Sequence, residues 1–450
     1  MVPYSLEVNV TKFWRGGMTT PGDFFETMKN TFDLLYSEGT THPKMMNIGL
    51  HCRIVGRPAR AVALRQFLEY AREFPDVWFP RRIEIARWWL EKYPEIKRTS
   101  KKGTAIMKTY RDEETGYEIR VLTDSPNGCT KPYFDMECTT PDGSRAMVTE
   151  SSDPQSKLWL VDVETGEKDL LLELGPGDTF SVPPTRGYGL LHRGETRSSH
   201  RCDLSTGELE QIGETPFCGR ATSVLTTFQN GTLVASYQHE RSYYVLGVTE
   251  LSTGRCEVVY RTDQLTNHTQ ACPGDNESIL HIHETGGDAI QRMWMFNYRE
   301  RINRPYFVEQ LDDWVTHECW TRSGKNVMFC NLRAATRFSE EPDELWLGRR
   351  DGQGFRCVAK GRYLHGAPDT QERWIVADDQ ETGTITLVDV ASGENIPLAS
   401  GLFPPTGAEH CHPSFNRRDD RVILTLPLPD GTVQVGAIDL RQVAAWAEKA

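Results

Sequence analysis

The second half of the chain places a histidine at nearly the same point in four consecutive segments of similar length. His268, His317, His365 and His410 are separated by steps of 49, 48 and 45 residues, and His412 follows two residues after the last. This period is the length of one four-stranded blade of a β-propeller. Because equivalent positions of all blades surround one axis, these imidazoles are predicted to meet and form a metal or proton-transfer site.

Short strands separated by tight turns extend this pattern over residues 105–450. Asp-Gly, Asn-Gly and Ser/Thr-Gly turns follow alternating strands, a composition typical of hairpins. Inner strands are expected to start near seven residues: Tyr133, Thr179, Thr222, His268, His317, His365 and His410. The last segment lacks a fourth strand, whereas residues 116–124 form a strand without a blade. Their pairing is predicted to close a seven-bladed ring.

Residues 1–96 follow a different pattern. Apolar residues recur at helical spacing after Thr20-Pro21 and again after Arg57-Pro58, and a short apolar strand is expected at residues 45–51. Helix and strand alternate, so this segment is predicted to be α/β. Residues 97–104 are interpreted as a linker. The predicted fold class is therefore mainly β, a seven-bladed propeller with a small N-terminal α/β segment.

Charge and composition exclude several classes of function. The formal net charge of −12 argues against a nucleic-acid partner. No apolar run approaches the length of a membrane span, so no membrane association is expected. The 11 cysteines form no CxxC pairs, which argues against a disulfide framework and fits reduced thiols in the cytoplasm.

The N-terminal segment resembles a known family. The runs "PGDFFETMKNTFDLLYSEG" and "PKMMNIGLHCRIVGRPARAVALRQFLEY" are similar to the C-terminal end of polysaccharide-deacetylase-like proteins, in particular the cofactor-independent allantoinase branch. His51 in "GLHCR" matches that family's C-terminal active-site histidine. The family's upstream aspartates and HxxxH pair have no counterpart here, so a deacetylase reaction is not expected. The segment is interpreted as a structural or a dimerising appendage, which either packs on another surface or forms a homo-oligomer with another chain.

The propeller segment resembles the oligogalacturonate lyases. "THECW" followed by "SGKNVMF" is similar to their HEFW-type blade, "HCHPSF" to their HPHPSF blade, and "NHTQACPGDNESILHIHE" to their HPQF blade. The resemblance covers residues 116–440. It implies a seven-bladed propeller that binds Mn²⁺ and cleaves short pectic oligosaccharides by β-elimination, which gives a 4,5-unsaturated product.

The same resemblance implies a role for four histidines. The implied metal ligands are His317, His410 and His412, and the implied catalytic base is His268. One position departs from the family pattern, because Gly407 stands where the family has a glutamine ligand. Either Glu409 substitutes as an oxygen ligand, or the site holds metal weakly, holds a different metal, or holds none.

Further candidates for substrate contacts lie on the same blades. Arg292 is either a partner for a second uronate carboxylate, through its planar guanidinium group, or a surface arginine. Gln270 and His365 are candidate sugar contacts. His281 and His283 alternate with apolar residues on one strand, which favours local hydrogen bonding over metal binding.

The chemistry of elimination explains why such residues are needed. A base must remove a proton next to a carboxylate, which builds a second negative charge on a group that already carries one. A divalent cation stabilises that charge as a Lewis acid. A neutral imidazole, whose ordinary pKa is about 6.5, is a competent base near neutral pH. Three imidazole ligands also leave coordination positions open for substrate oxygens.

Two alternatives to this function remain open from the sequence. One is a lyase for another uronate linkage, for example at glucuronate. The other is a non-catalytic propeller that binds sugars or proteins, although the Gly-His and Trp-Asp signatures of WD40 blades are missing from this sequence.

Overall fold

A computed structural model describes most of the chain. The described residues are 8–10, 13, 20–40, 43–92, 108–151, 155–214, 220–239, 243–250, 252–284, 291–333, 341–379, 382–402, 410–428 and 431–448. The chain divides into two compact units, Met1–Gly103 and Thr104–Ala450. The linker predicted at residues 97–104 lies outside the described residues.

The N-terminal unit is built from helices. These are α1 (Pro21–Gly39), α2 (Cys52–Val55), α3 (Pro58–Ala71) and α4 (Arg82–Lys92). At the start of α1, Asp23 donates its backbone N–H to Thr20 Oγ1, and the Asp23 carboxylate accepts the Thr20 N–H, which forms a capping box. Helices α1 and α3 bury the apolar residues Phe24, Met28, Phe32, Ala63, Phe67 and Ala71.

The strand predicted at residues 45–51 is reduced to one parallel bridge between Asn9 and Gly49. A parallel strand needs neighbours that pair along its length, and the described residues of this unit supply only that single bridge. Several large apolar side chains of the unit are exposed: Leu34, Trp78, Phe79 and Ile83. Homo-oligomerisation through this unit stays a prediction.

The second unit is a seven-bladed β-propeller, which confirms the predicted fold. Two strands precede the first blade, β1 (Lys108–Arg111) and β2 (Glu118–Val121). Blade 1 contains β3 (Cys129–Thr130), β4 (Arg145–Glu150), β5 (Ser156–Asp162) and β6 (Lys168–Leu174). Blade 2 contains β7 (Thr179–Ser181), β8 (Tyr188–Arg193), β9 (Ser198–Asp203) and β10 (Leu209–Glu214). Blade 3 contains β11 (Arg220–Ala221), β12 (Thr226–Thr227), β13 (Leu233–His239), β14 (Tyr243–Thr249) and β15 (Cys256–Thr262).

The remaining blades follow in chain order. Blade 4 contains β16 (Thr266–Ala271), β17 (Ser278–His283), β18 (Met293–Asn297) and β19 (Ile302–Pro305). Blade 5 contains β20 (Val315–Trp320), β21 (Asn326–Asn331), β22 (Asp343–Arg349) and β23 (Arg356–Gly361). Blade 6 contains β24 (His365–Pro368), β25 (Trp374–Asp378), β26 (Ile385–Asp389) and β27 (Asn395–Ala399). Blade 7 contains β28 (Ser414–Phe415), β29 (Arg421–Pro427) and β30 (Val433–Asp439), and a 3₁₀ helix (Leu440–Gln442) and α5 (Ala444–Ala447) end the described chain.

The ring is closed by strands from both ends of this unit. Strand β2 pairs antiparallel with β30, with Ile119 opposite Ile438, and β1 adds a fifth strand outside β2. This pairing confirms the closure predicted for residues 116–124, whereas β1 was not predicted. Both isoleucines are fully buried. The ring is therefore closed both by backbone hydrogen bonds between β2 and β30 and by apolar packing in the core.

The repeat also located the inner strands. Each begins within four residues of its predicted start, and the largest differences fall at Tyr133 and His410, in blades 1 and 7. Tyr133 lies after the end of β3, in a stretch that crosses the middle of the ring. Across the described residues, none of the helices has the length and apolar character needed to span a membrane.

The closing ladder gives a test of the fold. The substitution Ile119→Ala is expected to lower the free energy of unfolding of the propeller by about 2–5 kcal/mol, because it leaves a cavity in the core beside Ile438. Urea unfolding followed by tryptophan fluorescence measures the change. The matched control is Ile302→Ala on β19, where the side chain is 52% exposed and the expected change is within about 0.5 kcal/mol. Equal destabilisation by both substitutions would contradict the role of the ladder.

Candidate active site

Three of the repeated histidines share an uncommon backbone conformation. His268, His317 and His412 have φ angles of 44°, 52° and 44°. Residues other than glycine adopt this left-handed region at a cost of about 1–3 kcal/mol, and such residues cluster at functional sites. The strand ladder also shifts register around His268 and around His317, as a β-bulge does. A bulge changes the direction in which a side chain points. His268 in blade 4 and His317 in blade 5 are therefore oriented by the same kind of backbone irregularity.

His365 is held in a different way. It begins β24 and is almost fully buried, and its Nδ1 lies 2.9 and 3.1 Å from the two carboxylate oxygens of Asp378 on β25. Asp378 Oδ2 also accepts the backbone N–H of His412, at 3.1 Å. Since Nδ1 of His365 faces a carboxylate, its Nε2 is the nitrogen left to act as a ligand. One buried aspartate thus orients residues of two blades.

The histidines converge as predicted. The ring centroid of His365 lies 4.0 Å from that of His317, 4.3 Å from that of His412 and 5.3 Å from that of His410. His365, His410 and His412 offer ligand atoms that all lie within 4.8 Å of one another. We call these three residues the ligand group. Imidazole nitrogens are common ligands of divalent transition metals, so the donor set fits such an ion.

The ligand group differs in one member from the set that the resemblance implied. His365, predicted as a sugar contact, belongs to the group, and His317, predicted as a ligand, packs against His365. Within the described ranges, His317 Nδ1 is buried without a hydrogen-bond partner. Its role as a further ligand stays a prediction. Gly407 and Glu409 lie outside the described residues.

Burial keeps two of these imidazoles neutral. Burial is the main cause that lowers the pKa of His412 to about 2, and the charge of His365 lowers it further. Burial also lowers the pKa of His317 well below the usual range. The neutral imidazole is the form that binds a metal ion.

His268 is paired with a carboxylate from the next blade. Its Nδ1 lies 3.1 Å from Oε1 of Glu318, whose side chain is fully buried, whereas the His268 side chain is 25% exposed. Burial acts to lower the pKa of His268, but the hydrogen bond and the charge of Glu318 raise it above its ordinary value. Because Nδ1 faces the carboxylate, the neutral ring carries its proton there and leaves Nε2 as the proton acceptor. The sequence analysis did not identify Glu318.

A segment from blade 1 fills the middle of the ring. Residues 131–138, which we call the axial segment, follow β3. The Tyr133 ring lies edge-on to three histidines of three blades, at centroid distances of 5.6 Å to His268, 5.9 Å to His365 and 4.7 Å to His412. A side chain that touches blades 4, 6 and 7 at once must stand beside the axis, so Tyr133 belongs to the candidate site.

The rest of the axial segment is anchored by hydrogen bonds and ion pairs. The buried Lys131 donates from Nζ to the carbonyl oxygen of His412, at 2.7 Å. At the other end of the segment, Glu137 lies 3.0 Å from Arg322 of blade 5 and 3.3 Å from Arg417 of blade 7. These contacts fix the backbone on both sides of Tyr133.

Asp135 brings another acidic group toward His268. Burial raises its pKa to about 6, and the charge of His268 acts in the opposite direction. Its Oδ1 is buried and has no hydrogen-bond partner among the residues that the structure describes.

Two predicted substrate contacts are engaged within the protein. Arg292 is buried, and its two terminal nitrogens lie 2.8 and 2.7 Å from the carboxylate of Glu284. Gln270 donates from its amide to the carbonyl of Glu318, at 2.8 Å, and accepts the backbone N–H of Trp320, at 3.2 Å. A contact between either group and a sugar would compete with these internal bonds.

The other histidines lie apart from the ligand group. His281 Nε2 lies 2.9 Å from Oδ1 of Asn303, in the local hydrogen bonding expected of it, and the His283 ring centroid is 5.4 Å from that of His281. His51 stands at the start of α2 in the N-terminal unit and is exposed.

Fold and site together define a class, a seven-bladed propeller with a histidine cluster at its axis. No family model matches the chain. Over 276 residues it is 24% identical to the oligogalacturonate lyase of Dickeya dadantii, an alignment that covers 56% of this chain and 70% of that protein. A solved oligogalacturonate lyase in complex with manganese superposes with a TM-score of 0.66 at 20% identity, and covers 74% of this chain and 96% of its own.

The N-terminal residues have a separate relative. A putative polysaccharide deacetylase of Schizosaccharomyces pombe is 43% identical over 96 residues, which are 21% of this chain and 30% of the relative. The chain thus spans less than a third of that protein. Most of the chain has oligogalacturonate lyase homologues, and a small N-terminal segment has a deacetylase homologue.

The bond between Asp378 and His365 predicts a metal-binding phenotype. Asp378→Asn is expected to weaken Mn²⁺ binding by about 10–100-fold, because the carboxylate fixes the orientation and the tautomer of His365. Calorimetric titration of the purified protein measures the affinity. The control is Asp389→Asn in the same blade, where the carboxylate accepts N–H groups of its own turn and the affinity should be unchanged. Unchanged affinity in Asp378→Asn would contradict the assignment.

Proposed function

We propose that the propeller unit is a lyase that cleaves short oligogalacturonides by β-elimination to 4,5-unsaturated products, with a divalent cation, most simply Mn²⁺. The observation that carries the proposal is the position of a carboxylate-paired base, His268, in the same axial cluster as the ligand group. The homology to oligogalacturonate lyases and the shared fold with the manganese complex support it.

His268 is assigned the removal of the C5 proton. Its Nδ1 is held by Glu318, so Nε2 accepts the proton, and the imidazolium that forms is stabilised by the buried carboxylate. Water competes little for this pair, because Glu318 is fully buried. The partial exposure of His268 leaves its ring accessible to a substrate.

The ligand group is assigned the metal. A bound divalent cation would stabilise the charge that develops on the uronate carboxylate when the C5 proton leaves. His365, His410 and His412 would hold it, and His317 stands next to them as a further donor. His365 also offers a nitrogen donor in a chain that has Gly407 where the family has a glutamine ligand.

Direct assay of the full-length protein tests the proposal. With MnCl₂ and digalacturonate, we expect absorbance of the conjugated product to rise near the ultraviolet edge, and the same rate from His51→Ala, which changes an exposed residue of the other unit. A rise only with a glucuronate-linked disaccharide would assign another uronate linkage. No rise with any uronide, together with sugar or protein binding, would assign a non-catalytic propeller.

Two substitutions separate the base from the ligands. His268→Ala should lower the elimination rate by about 10²–10⁴-fold and leave the metal content unchanged, because only the proton acceptor is removed. His412→Ala should lose both activity and metal, since it removes a member of the ligand group. Metal content measured by elemental analysis distinguishes them. Equal metal loss in both variants would show that His268 is a ligand.

A further inference from the structure

Elimination needs a second proton transfer that the assignments above leave open. When the bond from C4 to the glycosidic oxygen breaks, the departing sugar carries the electron pair as an alkoxide, which is a poor leaving group until it is protonated. His268 accepts a proton in this step, so another group must donate one. This inference rests on the proposed function and concerns the same site.

We propose that the phenol of Tyr133 protonates the leaving oxygen. Its ring lies 5.6 Å from the ring of His268 and 4.7 Å from that of His412, between the base and the ligand group. The residue is only partly buried, so a substrate bound between these groups can reach it. The proposed acid therefore belongs to the axial segment, and the base belongs to blade 4.

The ordinary chemistry of a phenol suits this role. Burial raises the pKa of Tyr133 above its ordinary value, so the hydroxyl carries its proton at neutral pH. It can therefore donate that proton to the oxygen on which negative charge develops as the bond breaks. Anchoring of the axial segment by Lys131 and Glu137 holds the ring in place, which reduces the entropy lost in reaching the reactive geometry.

Other polar groups near the base are already committed. Lys131 Nζ donates to the carbonyls of Pro132 and His412, each at 2.7 Å. Glu318 holds His268, and its second carboxylate oxygen is buried. Among the residues that the structure describes, Asp135 is a further candidate, although its Oδ1 is shielded from solvent. It therefore serves as the comparison in the test.

Protons and electrons balance across the step. His268 takes the C5 proton, and the electron pair of that bond becomes the C4–C5 double bond. The pair of the C4–O bond goes to the leaving oxygen, which takes the Tyr133 proton and leaves a phenolate. The site has then gained one positive and one negative charge. Transfer of the proton from the imidazolium to the phenolate, directly or through solvent, restores both groups.

The test varies the leaving group. Tyr133→Phe keeps the ring that packs on the histidines and removes only the hydroxyl. With digalacturonate, its kcat should fall by about 10²–10⁴-fold. With a galacturonide that carries 4-nitrophenoxide at C4, a leaving group that needs no proton, kcat should stay close to that of the wild-type protein. Calorimetry with MnCl₂ should show unchanged metal binding.

Matched variants decide between outcomes. His268→Ala must slow both substrates, since both need the C5 proton removed. The assignment is overturned if Tyr133→Phe lowers kcat equally on both substrates, or lowers it on neither. It is also overturned if only Asp135→Asn lowers kcat on digalacturonate while keeping kcat on the nitrophenoxide substrate. If the wild-type protein eliminates neither substrate, the proposed function itself is wrong and the role of Tyr133 falls with it.

Discussion

The pairing of β2 with β30 is the interaction on which the rest of the propeller depends. It supplies backbone partners to strands that would otherwise form exposed edges, and it buries Ile119 against Ile438. Closure also fixes the angle between neighbouring blades. His317, His410 and His412 come from blades 5 and 7 and lie at ring-centroid distances of 4.0 to 5.3 Å from His365 of blade 6, so their meeting requires these three blades to keep their relative positions. The arrangement of the histidine cluster therefore depends on closure of the ring.

Two histidines of the cluster share one arrangement and differ in their exposure. His268 is backed by Glu318 and His365 by Asp378, each through Nδ1. The difference lies in access, because the side chain of His268 is 25% exposed and that of His365 is 1% exposed. When the imidazole is accessible, a carboxylate at Nδ1 favours removal of a proton from a substrate. When the imidazole is buried, the same carboxylate holds the ring in the orientation that a metal ligand needs.

Sequence periodicity predicted the blades, their closure and the convergence of the histidines, since position within a blade determines distance from the axis. It could not rank His365 against His317 as a ligand, because ring orientation depends on a left-handed backbone at one and a carboxylate partner at the other. Nor could it assign Tyr133 to the site, because it placed this residue at the start of an inner strand, whereas Tyr133 lies after β3 in the axial segment. Nor did it predict that Arg292 pairs with Glu284, which follows the neighbouring strand β17.

The left-handed backbone of His268, His317 and His412 sets function against stability in this fold. Each of these positions would be relaxed by glycine, which adopts the conformation without a steric penalty. Substitution by glycine would therefore relieve the backbone and keep the shape of the fold while it removed the histidine cluster. Strained backbone at three positions of one cluster is a pattern typical of binding and catalytic sites.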